Sequence, residues 1–510
     1  MNIYPEFHEF KQLAKEFNVI PVYTSLLLDT ETPVSILYKL MKSKSHRKSN
    51  NYFTLLESVE TQERLGRYSF ILTAPKYIFT VKDSTAKVVS ESGDNIAEEF
   101  PFINLASFKK FFYKFKFAVS PSLPRFTAGA VGYVSYDYIR CIERLPSKNV
   151  DDLNLPLIML QFPSIVIVFD HIFHNIWIIN CTYGAEKEPE KKYKEALKNI
   201  EEIIMCIKNT ILSDKYYYLG NIQQEKESIV KFTSNFTKGE FLSAVKRVKR
   251  YIINGDIVQA VISQRFSCEV PGDPFTIYRY LRIINPSPYM YFFKMGRSYI
   301  IGTSPEILIR KERDFVETRP IAGTRPRGKN EAEDIALEKK LCKSVKERAE
   351  HVMLVDLGRN DLGKVCRYGT VKVPTFMQVE RYSHVMHLVS SVVGKIAPHE
   401  DMFSLFNACF PAGTVTGAPK IRAMEIIEEI EPVRRGIYAG AIGYFGFEGN
   451  MDMAITIRTI VVHKNRAYIQ AGAGIVADSS PEHEYWETIN KAKGMMKAIT
   501  FAAHKKERLF

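Results

Sequence analysis

A chain of 510 residues is too long for one simple core and suggests two or three units. Hydrophobic residues at 46% and charged residues at 25% exclude a disordered chain. The net charge of +13 raises the question of a nucleic-acid partner. The densest basic cluster, residues 42–48, lies in a Ser/Lys/Asn stretch without aromatics for base stacking, so solvated lysine-rich faces are expected instead.

No stretch of roughly twenty residues is free of charge and breakers, so no membrane span is expected. The opening MNIYPEFHEFKQ lacks a basic region followed by an apolar core, which points to a cytoplasmic protein. Seven scattered cysteines without a CxxC pair fit reduced thiols better than disulfides or a zinc site. None sits in a Gly-x-Cys-x-Gly elbow, so no glutamine-hydrolysing centre is expected.

In chain order, strand-like runs fall at 128–136, 164–170 and 175–181, followed by a charged helix near 187–208. Residues 213–234 are polar and read as a linker, which divides the chain into 1–220 and 225–510. Thr237 and Glu240 form a capping box that opens an amphipathic helix closed by Gly255. Strands follow at 257–266, 289–293 and 299–302, then a helical region at 331–353 and a helix at 418–430. Strands at 438–447, 451–463 and 467–472 precede a last helix at 481–501. Long strands joined by short turns such as GFEGN predict an α+β fold, with large antiparallel β-sheets packed on each other and helices outside.

Two acidic pairs carry the clearest chemical signal. Glu347 and Glu350, and Glu484 and Glu487, are each three residues apart, which on a helix puts each pair on one face. Such spacing usually marks a wet surface. Here Glu350 runs into the apolar HVMLVDL and Glu487 follows Tyr485 and Trp486, so the faces are expected to be partly buried. Carboxylates converging there would need a cation, and magnesium suits oxygen ligands.

Two glycine-rich loops, residues 411–420 and 470–482, can cup an anion with successive backbone N–H groups, although tight turns are their commoner use. Arg458, alternating in AITIRTIVV, reads as a strand residue suited to a bidentate carboxylate contact. His384 and His387 are acid/base candidates, with a satisfied core histidine as the bland alternative. Glu306, after Pro305, reads as the start of a helix.

The ordered blocks SPEILIRK, TRPIAGTRPRG, DLGRNDLGKV, RYSHVMHLVSSVVG, FPAGTVTGAPKIRAMEIIEE and AGAGIVADSSPEHEYWETINKAKGM resemble the chorismate-utilising enzyme family over about 237–503. Members that activate water carry a lysine where this chain has Gln259. Aminodeoxychorismate synthases commonly carry a nucleophilic lysine where it has Ala322. With both absent, the resemblance narrows to the anthranilate synthase pattern, in which ammonia attacks from outside.

That resemblance implies magnesium held by Glu350 and Glu487, with Glu347 and Glu484 in support. It implies Glu306 as general acid, His387 assisting pyruvate elimination, and Thr414 beside them. Gly323, Thr324, Tyr438, Arg458, Gly472, Ala473, Gly474 and Lys491 match positions that cradle chorismate. LLES (55–58), GRYS (66–69) and NPSPYMYF (285–292) resemble a tryptophan inhibitor site of Glu57, Ser58, Pro288, Tyr289 and Met290, in which Glu57 pairs with the ligand's ammonium. The implied partner is a glutamine amidotransferase subunit. The rival expectations are an aminodeoxychorismate synthase and a non-catalytic tryptophan-sensing or nucleic-acid-binding module.

Overall fold

Side-chain alternation along the strands sets the architecture. In Tyr289–Met295, Met290 and Phe292 enter one apolar core, while Tyr291, Phe293 and Met295 enter another. This is the period of two that a strand imposes, and it makes that sheet apolar on both faces. The structure is a computed structural model that describes residues 2–27, 29–43, 51–58, 66–90, 96–212, 219, 230–381 and 385–507.

Two antiparallel sheets share a pair of long, bent strands, Tyr68–Lys82 and Ile158–Asp170. One sheet runs Val19–Leu27, Asn175–Tyr183, then the Ile165–Asp170 end of the second bent strand and the Tyr68–Thr73 end of the first. It continues through Tyr52–Glu57, Tyr289–Met295, Ser298–Ser304, Thr459–His463 and Arg466–Ile475 to Gln259–Glu269. The other uses the opposite ends of the bent strands and continues through Gly129–Val134, Ala441–Gly446, Met451–Ile455 and Ile307–Glu312. It ends with Phe315–Thr318, Val385–Lys395, Ile321–Pro326 and Lys372–Arg381. The bend falls at a register shift between Pro75 and Tyr77, next to Ala74 at φ +50°, where a bulge lets the strand turn.

Residues 1–220 and 225–510 both supply strands to both sheets. Tyr52–Glu57 pairs with Tyr289–Met295, and Gly129–Val134 with Ala441–Gly446. Most of the expected linker, 213–218 and 220–229, lies outside the described residues, as do residues 44–48 of the basic cluster and His384.

Phe70, Val168, Tyr291 and Phe293 of the first sheet meet Val131, Tyr444 and Met453 of the second in one core. The far face of the first sheet, including Phe53, Leu55, Ile167, Phe292 and Ile301, is covered by the helices Pro33–Lys42, Pro189–Asn209, Pro274–Ile284 and Pro481–Glu507. Each such side chain contributes about 1.5–3 kcal/mol on burial, so the sandwich and its helical cover form one apolar framework. The α+β expectation holds. The predicted capping box is present: Thr237 Oγ1 accepts from Glu240 N at 3.3 Å, and Thr237 N donates to Glu240 Oε2 at 2.7 Å.

The helical region 331–353 is two helices, Glu331–Lys343 and Val345–Gly363. Ser344 ends the first and caps the second by accepting from Glu347 N. The strand expected at 451–463 is also two, Met451–Ile455 and Thr459–His463, each in a different sheet.

Candidate active site

The chain passes between the sheets at two adjacent places. Residues 305–306 lead from Ser298–Ser304 to Ile307–Glu312, and residues 456–458 lead back from Met451–Ile455 to Thr459–His463. The passages are tied together: Ile455 N donates to the Glu306 carbonyl at 3.0 Å, and Thr303 N to the Arg458 carbonyl at 3.2 Å.

Two expectations are corrected here. Glu306 does not start a helix, because the strand resumes at Ile307 and pairs with Met451–Ile455. Arg458 is not a mid-strand residue. Its φ of +52° breaks the strand and lets it switch sheets. A left-handed arginine is strained, and such strain concentrates at functional sites.

Glu306 is 7% exposed, and burial pushes its carboxyl up to about 8. The Thr414 hydroxyl and the Lys491 charge temper that rise. The hydroxyl approaches Glu306 short of full hydrogen-bond geometry and is otherwise without a partner. Ile307, Leu354, Leu357 and Ile455 wall a small cavity beside the two.

Two helices bring the glutamates. Glu347 and Glu350 lie on Val345–Gly363; Glu484, Glu487 and Lys491 lie on Pro481–Glu507. Burial raises the proton affinity of Glu350, and the negative charges of Glu347 and Glu487 add to it, so the two helices face each other across the site. Burial likewise raises Glu484, 3% exposed, with Glu487 adding to the effect. Glu487 is pushed up by burial but pulled further down by Lys491, whose Nζ lies 2.7 Å from its Oε1. Glu347 is engaged by Arg325 at 3.0 Å.

Among the described residues, the carboxylates of Glu484 and Glu487 and the exposed His483 form a group with ligand atoms within 4.8 Å of one another. His483 was not expected, and nothing in its sequence context marks it. Oxygen donors left with mutual repulsion suit a hard divalent cation.

The remaining wall is strand backbone. Arg466–Ile475 places Gly472, Ala473 and Gly474 opposite Ser263, Ile262 and Val261. A side chain at 472 would meet the Tyr438 hydroxyl at 2.7 Å, and one at 474 the Gln259 amide at 2.5 Å, so both glycines leave room for those groups. Gln259 Nε2 donates to Glu350 Oε1 at 3.3 Å, and Lys491 Nζ to the Gly472 carbonyl at 2.9 Å.

Arg458 is half-buried, and an N–H of its guanidinium reaches the Lys491 carbonyl at 3.0 Å. Opposite each other in paired strands, Thr324 and His387 meet through Thr324 Oγ1 and His387 Nδ1 at 2.9 Å. His387 Nδ1 also lies 3.3 Å from the Gly323 carbonyl, which can only accept, so Nδ1 carries the proton and Nε2 is the basic nitrogen. Burial lowers this imidazole to about 4 despite that carbonyl, so it is neutral at pH 7.

A second pocket lies between the sheets. It is lined by Glu57, Ser58, Pro288, Tyr289 and Met290, with Tyr68, Arg125, Arg310, Tyr444 and Asp452 completing it. Met290 pairs with Glu57 across adjacent strands. The Glu57 carboxylate already accepts from Arg282 at 3.0 and 3.2 Å and from the Tyr278 hydroxyl. Tyr289 donates to Asp452 at 2.9 Å, and Arg310 binds both. Arg310 and Asp452 were missed because each sits in an ordinary strand pattern, and only the register of distant strands brings them together.

The chain matches the family model described as chorismate binding enzyme over residues 55–497. It is 45% identical over 507 residues to anthranilate synthase component 1 of Aquifex aeolicus, covering 99% of this chain and 100% of that relative. The chain belongs to the chorismate-binding enzymes. A relative of the same name from Acetivibrio thermocellus is 46% identical over 499 residues, 97% of this chain and 98% of its own.

Among solved structures, anthranilate synthase component I from Streptococcus pneumoniae superposes with a TM-score of 0.73 at 38% identity, covering 86% of this chorismate-binding enzyme and 94% of that chain. MenF, the isochorismate synthase of Escherichia coli, shares the fold at a TM-score of 0.69 and 17% identity. No described helix is long and apolar enough to cross a membrane.

Proposed function

We propose that this chain is the chorismate-consuming component of an anthranilate synthase, turning chorismate and ammonia into anthranilate and pyruvate as the first committed step towards tryptophan. The observation that carries this reading is Gln259 held against Glu350, where a water-activating enzyme of the family needs a lysine. An amide cannot act as a base, so the nucleophile comes from outside. Ala322 likewise offers no covalent alternative. The names of the full-length relatives point the same way.

The carboxylates of Glu350 and Glu487, with Glu484 and Glu347 in support, fit magnesium, which would neutralise the ring carboxylate and draw electron density from the ring. Arg458, Lys491 and the backbone of residues 472–474 present positive or N–H-rich groups to the substrate carboxylates. Glu306 stays protonated at neutral pH and donates its proton to the departing ring hydroxyl. His387 is neutral and accepts the proton released as pyruvate leaves and the ring becomes aromatic.

Ammonium dominates at neutral pH and is not nucleophilic, so a glutamine amidotransferase subunit would deliver free ammonia. The designation component 1 in the relatives' names fits such a partner. The second pocket is assigned to tryptophan as inhibitor. Glu57 keeps acceptor capacity beyond Arg282 and Tyr278 for the ligand's ammonium. Residence in the cytoplasm completes the reading.

The test is product identity. Purified chain with chorismate, magnesium and ammonium at alkaline pH yields blue-fluorescent anthranilate without a lyase. A product that needs a lyase to become aromatic supports the aminodeoxychorismate reading, and isochorismate overturns the external-ammonia step.

A further inference from the structure

Behind the candidate active site lies a buried ion pair that the reaction does not use directly. Arg435 and Glu431 are 3% and 4% exposed, in the turn between the helix Lys420–Ile430 and the strand Ala441–Gly446. Arg435 Nε donates to Glu431 Oε2 at 2.9 Å, and Nη2 to Oε1 at 2.6 Å. Its other donors go to two main-chain carbonyls: Nη1 to Val415 at 2.6 Å and Nη2 to Val261 at 2.6 Å. The guanidinium also lies over the Tyr438 ring at 5.6 Å and the Tyr136 ring at 4.9 Å.

These contacts fall on three separate walls of the site. Val415 follows Thr414, whose hydroxyl faces Glu306. Val261 pairs with Gly474 in the next strand. Tyr438 places its hydroxyl beside Gly472. Glu431 adds a further tie by accepting from Ser263 N and Ser263 Oγ, both at 2.8 Å, in that same strand.

A buried ion pair is a poor way to gain stability. Well-packed apolar residues in its place are often neutral or better, because desolvating two charges offsets their attraction. What an apolar pair cannot do is hold two carbonyls and a ring face at fixed directions. The planar guanidinium does that, with two N–H bonds on the carbonyls, two on Glu431 and its face over the Tyr438 ring. We propose that Arg435, fixed by Glu431, is a positioning residue that holds the Thr414 loop, the Gln259–Glu269 strand and Tyr438 in register around the substrate. It touches none of the reacting atoms.

This role predicts a pattern that simple destabilisation does not. If the Val415 carbonyl drifts, Thr414 leaves Glu306, and the one hydroxyl that restrains the acid's proton affinity is lost. The alkaline limb of turnover then moves to higher pH.

The test uses the full chain with chorismate, magnesium and ammonium, and rests on the reaction proposed above. A wild-type chain that forms no anthranilate overturns that reaction and with it this role, whereas a failure confined to the variants below bears on this role alone. In Arg435→Lys, charge is kept and the fork is lost. The expected result is turnover down at least about tenfold, a smaller change in KM for chorismate, and the alkaline limb shifted upward at constant free ammonia. A second variant, Glu431→Leu with Arg435→Met, replaces the pair by apolar bulk. It is expected to melt at or near the wild-type temperature while losing turnover. Either variant folding with wild-type turnover and pH profile overturns the proposal. Failure of both to fold makes the pair a stability device and also overturns it.

Discussion

The carboxylate site and the second pocket both contain buried acidic groups, but they handle charge in opposite ways. In the second pocket, Asp452 is answered by Arg310 and Tyr289, and Glu57 by Arg282 and Tyr278. In the carboxylate site, Glu350 and Glu484 hold protons more tightly than usual, because burial is compounded by neighbouring negative charge. One region is electrostatically complete before anything binds. The other keeps carboxylates in mutual repulsion that a bound cation would relieve. A complete pocket recognises a ligand by shape and a few free acceptors, whereas carboxylates left in mutual repulsion suit a hard cation.

The sharpest way to break the contrast is Glu487→Gln. It removes the glutamate whose charge Lys491 stabilises, and turnover is expected to fall at least about 100-fold, with circular dichroism and melting unchanged. Magnesium-dependent anthranilate formation at the normal rate in that variant would remove the metal assignment. Glu306→Gln comes next, with turnover down by about 10²–10⁴-fold and KM for chorismate little altered.

The pH profile is a smaller effect. Glu306 must be protonated to act, so turnover at constant free ammonia is expected to hold below pH 8 and decline as pH rises through about 8. His387, neutral above about 4, adds no change near neutrality. A profile still rising well above 8 would contradict Glu306 as the acid. The smallest effect belongs to the second pocket. Ser58→Ala should weaken tryptophan inhibition by about five- to tenfold, the worth of one hydrogen bond, while turnover without tryptophan stays near wild type. Unchanged inhibition would argue against this pocket as the tryptophan site.

How much of this was legible in the sequence depended on the range of the interactions. The glutamate pairs were readable because helix geometry is local: residues three apart share a face wherever the helix goes. Glu306 was misread because Pro-Glu after a strand looks like a helix start, and only pairing with residues about 145 positions later keeps it extended. Arg458 was misread because both its flanks are strand and one positive φ separates them. Arg435 was not singled out, since Glu431, four residues before it, lies past the end of its helix and the partners at 261 and 415 share no periodicity with it. The pairing of residue 57 with 290 was anticipated only through family resemblance, and the interleaving of distant strands has no local signature.

The central claim, that carboxylates from two helices jointly hold a divalent cation, is tested most directly by calorimetric titration of magnesium into the chorismate-loaded chain over a range of pH. The account predicts one bound ion per chain with affinity that weakens as pH is lowered, because burial and mutual repulsion raise the proton affinity of Glu350 and Glu484 and protons then compete with the ion. It also predicts loss of that binding in the Glu350→Gln, Glu487→Gln double variant. Binding of undiminished strength in the double variant, or no binding in the wild type, would contradict it.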